Sequence, residues 1–296
     1  MSSGFINSIK GVAFKDNTWG NLKIPSYCIP FIDTYEFQRM RNMKQLGSSY
    51  YHFSSASGNR FEHSIGVSFL SNYFAKTLLA KFPKIVKDDH VKLITLAGLL
   101  HDIGHGPFSH LFEKVTNVSH EKMTIEIIKS MVSKYTLDIT HKEMEIVFDI
   151  ISPPVDKKGS WLYQIVSNSI DTDRMDYILR DSANVGIPIF FNKYNAFSLI
   201  NSAVIENEQI EFKNSDKVID DFFSSREFMY KRVYLSEKSI QVENLIIHIL
   251  KEAKINENIK CLDDFIKLDD GIINQLYWNT STKHLVDKLI KRQYEI

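Results

Sequence analysis

Cysteine is scarce in this 296-residue chain. The two present, Cys28 and Cys261, lie far apart and form no pair-spaced metal motif, which points to a reducing, cytoplasmic setting. No apolar run approaches the roughly 20 residues that span a bilayer. Met1-Ser2-Ser3-Gly4-Phe5 lacks the basic-then-apolar pattern of a secretion signal, so no membrane role is expected. Charge of one sign is also missing: 36 Lys and Arg balance 36 Asp and Glu. Zero net charge argues against broad steering of nucleic acid, although a local basic cluster can still hold a polyphosphate. No internal repeat or low-complexity tract is present. What remains is a globular composition, 44% hydrophobic and 24% charged, sufficient for one large core or two modest domains.

The patterning is predominantly helical. Residues 11 to 24 alternate enough to give a short hairpin turned at Asp16-Asn17. Asp33-Thr34 opens a helical pattern with Phe37, Met40 and Leu46 on one face, ended by Gly47. A long helix runs from about Arg60 to Lys81, and a third starts at an Asp88 or Asp89 cap. Ser119 caps a helix from His120, and Thr140 with Glu143 makes a capping box. Pro153-Pro154 breaks the chain, a helix follows through Trp161 to Val166, and a second hairpin turns at Glu206-Asn207-Glu208. From Ser215 onward four or five helical pieces are expected. The fold class is mainly α with two small β-hairpins. Residues 1–243 read as a catalytic domain with its core at 33–190, and 244–296 as a helical extension packed on it.

Histidine usage is uneven, with six of the ten between positions 63 and 120. Clustered imidazoles suggest a metal or proton-transfer site. The densest stretch is Leu99-Leu100-His101-Asp102-Ile103-Gly104-His105-Gly106-Pro107-Phe108-Ser109-His110. An apolar run delivers His101 and Asp102 at a buried helix end, where imidazole beside carboxylate is costly unless the pair is hydrogen-bonded or holds a cation. Gly104, Gly106 and Pro107 break the helix, so a loop can return His105 and His110 over the same spot. Alone, a His-Asp dipeptide reads as an ordinary helix end. Here Asn59-Arg60-Phe61-Glu62-His63, Ser119-His120-Glu121 and Asp171-Thr172-Asp173 supply further candidates, while His52, His90, His141, His248 and His284 read as surface or capping residues.

The order His63 … His101-Asp102 … Asp173 resembles the ligand order of the HD superfamily of metal-dependent phosphohydrolases. Ile32-Asp33-Thr34, Phe37-Gln38-Arg39-Met40-Arg41, Lys44-Gln45-Leu46-Gly47, Asn59 to His63, Ala97 to His110 and Asp171 to Tyr177 appear in sequence. Together they look like the HD domain of the SAM-and-HD-domain deoxynucleoside triphosphate triphosphohydrolases, from about Asp16 to about Glu243. The resemblance implies an HD-domain helical phosphohydrolase fold. It also implies that His63, His101, Asp102 and Asp173 hold iron, manganese, zinc or nickel, with magnesium accompanying the triphosphate. By the same resemblance His105 and His120 contact the α-phosphate, and His110 is the general acid oriented by Glu113, which stands where many members have aspartate. Arg60, Arg174 (in place of a lysine), Tyr177 and Arg226 would grip the triphosphate. Gln45 and Asp181 would bind the sugar 3′-hydroxyl, Leu46 would crowd the 2′ position, and Tyr234 would lie against the sugar.

The implied activity is cleavage of a dNTP to deoxynucleoside and tripolyphosphate, by a homo-oligomer. An HD phosphohydrolase acting on another nucleotide and a non-catalytic nucleotide-binding regulator are the rivals. Three arginines favour a triphosphate, and a leaving-group acid favours turnover. Asp33, Gln38 and Arg41 match an allosteric guanine-nucleotide site, with Asp33 and Arg41 two turns apart on one helix. Val12 stands where that site has lysine, and Ser236 where it commonly has histidine. The family's vertebrate member carries a SAM domain before this region and a regulatory lobe after it, whereas this chain ends at Ile296. Weak or absent activation by GTP is therefore expected.

Overall fold

The computed structural model describes residues 11–156 and 159–295. The reading of Met1 to Phe5 lies outside the described residues. Strands β1 (Gly11–Asp16) and β2 (Gly20–Pro25) pair antiparallel, with Asp16 opposite Gly20. The Asp16 carboxylate closes the turn by accepting from the amides of Thr18 and Trp19 at 2.9 and 2.8 Å. Short helices α1 (Ile29–Ile32) and α2 (Tyr35–Gln38) follow, and α2 runs into a 3₁₀ turn over Arg39–Asn42.

The single helix expected from Asp33 to Leu46 is therefore corrected. Asp33 ends α1, Thr34 caps α2 by accepting from the Phe37 amide, and Arg41 lies in the 3₁₀ turn. A 3₁₀ turn keeps residues i and i+3 on one side, so the apolar spacing of Phe37 and Met40 cannot separate it from an α-helix. Leu46 leaves that face for a small cluster with Ala56, Met229 and Val233.

Helix α3 (Arg60–Lys81) starts where Asn59 accepts from the Glu62 amide at 3.0 Å, and it is buried along most of its length. Helix α4 (Asp88–Leu100) is capped at Lys87, whose amide donates to the His90 ring, so Asp88 and Asp89 sit inside the first turn. Then come α5 (His110–Thr116), α6 (His120–Lys134) capped by Ser119, α7 (His141–Ile151) with the Thr140–Glu143 box, and the single turn α8 (Trp161–Gln164), shorter than expected. Asp171 caps α9 (Thr172–Val185), which ends at left-handed Gly186. Helix α10 (Lys193–Ser202) leads to the hairpin β3 (Ala203–Glu206) and β4 (Gln209–Phe212). Helix α11 (Asp216–Met229) passes through a π turn at Tyr230–Tyr234 before α12 (Glu237–Glu252), α13 (Leu262–Ile266), α14 (Ile272–Tyr277) and α15 (Lys283–Ile290).

Helix α3 packs along α4, and α9 crosses α3. Gly66 permits that crossing, because a Cβ there would collide with the carboxylate of Asp176. One buried apolar cluster extends from Trp19 to Tyr294, so the C-terminal helices share the core built by α3 and α4. At about 1.5–3 kcal/mol for each fully buried large apolar side chain, this core supplies the main force against chain entropy. It also fixes the ends of α3, α4 and α9 side by side. Among the described residues, no helix is long and apolar enough to cross a membrane.

Candidate active site

Those three ends carry the chemistry. His63 lies in the first turn of α3, His101 and Asp102 directly follow α4, and Asp173 lies in the first turn of α9. The Nε2 atoms of His63 and His101 are 3.2 Å apart. Asp173 Oδ1 is 3.1 Å from the former and 3.5 Å from the latter, and Asp102 Oδ2 is 3.4 Å from His63 Nε2.

The tautomers follow from the outer contacts. His63 Nδ1 donates to Asp176 Oδ2 at 2.8 Å, and His101 Nδ1 donates to the Gly98 carbonyl at 2.9 Å. In the neutral rings both Nε2 atoms then present lone pairs, which face each other and two carboxylates. Such a set needs a proton or a cation at its centre, so the donors fit a divalent metal. Burial opposes charge on His63, but its hydrogen bonds with Asp173 and Asp176 outweigh that and raise it to about 10. Burial likewise opposes the charge of Asp102. Arg60, His101 and His105 prevail and hold that carboxyl well below its ordinary range.

Asp176 supports this cluster from behind. It takes two bonds from Arg180, at 2.8 and 2.9 Å, and one from the Trp19 indole at 2.6 Å. Arg180 also reaches Asp16 at 2.8 Å, so the β1–β2 turn is tied to the orientation of His63. Asp176 thus joins the His63 ring to the Arg180 guanidinium. Trp19 appears in the pattern only as an apolar hairpin residue.

A second group adjoins the first. His105 Nε2 is 3.3 Å from Asp102 Oδ1, and its ring stacks on His120 with centroids 4.0 Å apart. Gly104 allows this, since a Cβ there would strike the His120 carbonyl and the Thr124 amide. Glu113 Oε1 accepts from His110 Nδ1 at 2.8 Å and His120 Nδ1 at 2.9 Å, and His120 Nε2 lies 3.6 Å from Glu121 Oε1. Burial, Arg60 and His120 together depress His105 well below its ordinary value, so that ring is neutral. The two groups share the floor of a cleft of about 550 Å³.

Gln45, Leu46, Arg60, Arg174, Tyr177, Asp181 and Tyr234 line the same cleft. Arg60 pairs with Asp102 and donates to Ser109 Oγ at 2.7 Å, while Arg174 pairs with Asp171. Gln45 Oε1 and Asp181 Oδ1 are buried without a hydrogen-bond partner among the described residues. Asp181 Oδ2 accepts from the Tyr234 hydroxyl at 2.8 Å. Burial nonetheless pushes Asp181 up to about 7. Two expected residues stand behind the wall: Glu113 acts through the histidines, and Arg226 lies behind Tyr177 with its guanidinium 5.1 Å from the Tyr230 ring.

Asp33, Gln38 and Arg41 lie outside the cleft. Asp33 is exposed, Arg41 donates to Gln38 at 2.8 Å, and its guanidinium covers the Phe61 ring at 3.6 Å. Val12 is exposed on β1, and Ser236 caps α12.

The HD domain family matches residues 60–181, the segment that contributes all four converging donors. Over that segment the chain is similar to HD domains, whose helical phosphohydrolase fold agrees with the mainly α architecture. A protein of Acanthamoeba polyphaga mimivirus, described only by its HD domain, is 36% identical over 298 residues, covering 90% of this chain and 64% of its own. The deoxynucleoside triphosphate triphosphohydrolase SAMHD1 homolog of Dictyostelium discoideum is 30% identical over 276 residues, 87% of this chain and 53% of its own. Human deoxynucleoside triphosphate triphosphohydrolase SAMHD1 is 30% identical over 331 residues, 95% of this chain and 53% of its own. That segment and its flanks thus resemble the dNTP triphosphohydrolases along most of this chain. The chain spans between about half and two thirds of the length of these relatives.

Proposed function

We propose that the protein is a metal-dependent dNTP triphosphohydrolase that releases deoxynucleoside and tripolyphosphate. The observation that carries this reading is one cleft with two kinds of lining. The His63, His101, Asp102 and Asp173 donors and His110, paired with Glu113, share it with Gln45, Asp181, Leu46 and Tyr234, and Gln45 Oε1 and Asp181 Oδ1 are buried without a hydrogen-bond partner among the described residues. A bound iron, manganese or related ion would polarise the α-phosphate and acidify water.

The chain's own side chains do the rest. Arg60, Arg174 and Arg226 balance the phosphate charge and the neutral Tyr177 hydroxyl donates to it, while magnesium would accompany the triphosphate. His105 and His120 face the α-phosphate. His110, its Nδ1 anchored on Glu113, gives its Nε2 proton to the departing 5′-oxygen. Gln45 and Asp181 hold the 3′-hydroxyl. Leu46, packed on Met229 and Val233, denies a 2′-hydroxyl any partner, which disfavours ribonucleotides.

Incubation with each dNTP and a divalent transition metal, followed by anion-exchange chromatography, tests this reading. Deoxynucleoside with tripolyphosphate is expected. Release of dNMP with pyrophosphate, or no turnover of any dNTP, would sink it.

A further inference from the structure

Two neighbouring segments each form a wall of the cleft, so close that a Cβ on Gly47 would lie 3.1 Å from the Phe108 carbonyl oxygen. One is Met43–Leu46, which presents Gln45 and Leu46. The other is Gly106–Ser109, which delivers His110 at the start of α5. In the second, Phe108 and Ser109 both have positive φ, 58° and 60°, a conformation that side chains with a Cβ avoid. Something outside the segment has to hold it there.

Arg60 holds Ser109 through its Oγ, and a second holder comes from far along the chain. Asp270, partly buried in the turn between α13 and α14, accepts from the Phe108 amide through Oδ1 and from the Lys44 amide through Oδ2, each at 2.7 Å. Its neighbours reinforce the grip. Asp269 accepts from the Asn42 side chain at 3.0 Å, and the Leu268 carbonyl accepts from Arg39 at 3.1 Å. The same buried Arg39 guanidinium donates to the carbonyls of Ile103 and His105 at 2.8 Å each.

We propose that Asp270 is a positioning residue that locks both walls of the cleft in register from outside the HD-like segment, setting His110 against the leaving oxygen and Gln45–Leu46 against the sugar. Each carboxylate oxygen serves one wall, so both must be acceptors at once. Burial pushes Asp270 up to about 6 even though both amides favour its charged form, which shows how closely it is enclosed. The catalytic consequence rests on the dNTP reading; the lock itself does not.

Asp270→Asn separates the two. The substitution keeps the shape but turns one acceptor into an NH₂ group facing a backbone N–H, so one wall is released. Amide hydrogen exchange of the full-length metal-loaded protein is followed at residues 43–47 and 105–110, and metal content is measured alongside. Faster exchange at Lys44 or Phe108 with wild-type metal content is expected; unchanged exchange at both overturns the lock. Kinetics are read well below the melting temperature of the variant. kcat should fall roughly 10- to 100-fold, the usual cost of misplacing reacting groups by about an ångström, and the deoxy-to-ribo preference should narrow. A role in stability alone would move neither. If exchange quickens while kcat and the sugar preference stay within twofold of wild type, the positioning role is overturned. If the wild type turns over no dNTP, the functional reading fails on its own, and the exchange result still decides the lock.

Discussion

His110 and His105 are both imidazoles of the same cleft, yet their surroundings divide the work between them. His105 is buried, neutral and stacked against His120, suited to hydrogen bonding. His110 is 67% exposed at its side chain and anchored through Nδ1 on an ionised Glu113. Burial opposes that carboxylate charge, but the two histidines hold Glu113 far below its ordinary range. His110→Ala should therefore keep the fold and the metal, and lose about 10²- to 10⁴-fold in kcat. Wild-type turnover by that variant would remove His110 from the acid role. Leu46 packs in the small cluster with Ala56, Met229 and Val233. Leu46→Ala should raise ribonucleotide turnover relative to deoxyribonucleotide turnover and cost about 2 to 3 kcal/mol of stability; an unchanged ratio would assign sugar choice to Tyr234. The grouping of His63, His101, Asp102 and Asp173 was expected from the resemblance, and the structure places their side chains together at three helix ends. Asp270 was not legible. Asp269-Asp270-Gly271 has the composition of an ordinary turn, and its partners are backbone amides more than 160 positions away.

Helix starts were the most legible elements, because capping is a local hydrogen bond between side chain and backbone. Asn59, Ser119, Thr140 and Asp171 each accept from an amide three residues on. The break at Gln38–Arg39 was hidden, since buried Arg39 follows carbonyls at Ile103, His105 and Leu268 that no local pattern reveals. The Thr140–Glu143 box offers a test at this scale. Glu143 accepts from the Thr140 amide and from Lys92, and the Thr140 bond chiefly holds it down to about 2 from an ordinary 4.5. A depressed carboxyl stabilises the fold fully above its ordinary value, and that contribution disappears as pH falls towards 2. Glu143→Ala should melt about 2 °C below wild type at neutral pH, from roughly 1 kcal/mol of capping. The gap should shrink between pH 4.5 and 2. A gap independent of pH would mean that lost packing, not the charged cap, accounts for the difference.

The whole molecule is organised so that one core places three helix ends around one point. Helices α3, α4 and α9 share the apolar cluster that runs from Trp19 to Tyr294, and each contributes at least one donor where they meet. Without a cation the two lone pairs and two carboxylates must be reconciled by protons. A divalent ion held by His63, His101 and Asp173, with Asp102 beside them, would do this and would cross-link elements that are far apart in sequence. Binding to the folded state alone stabilises it by mass action, by about 2.7 kcal/mol at a metal concentration about 100-fold above Kd. For a chain of this size that corresponds to a rise in Tm on the order of 5 °C. Chelated protein should accordingly melt lower and regain stability when manganese or iron(II) is returned, as followed by differential scanning calorimetry. Asp173→Ala removes a donor that is partly exposed on the cleft side, so the variant should fold and yet show little or no shift with either ion. His110→Ala should shift as the wild type does when the ion sits with His63, His101 and Asp173; a lost shift would place it instead in the neighbouring group of His105, His110, Glu113 and His120, whose donors also lie close enough to hold one. If Asp173→Ala gains as much from metal as wild type, the ion is held elsewhere, and the convergence of His63, His101 and Asp102 on Asp173 has to be explained by protons alone.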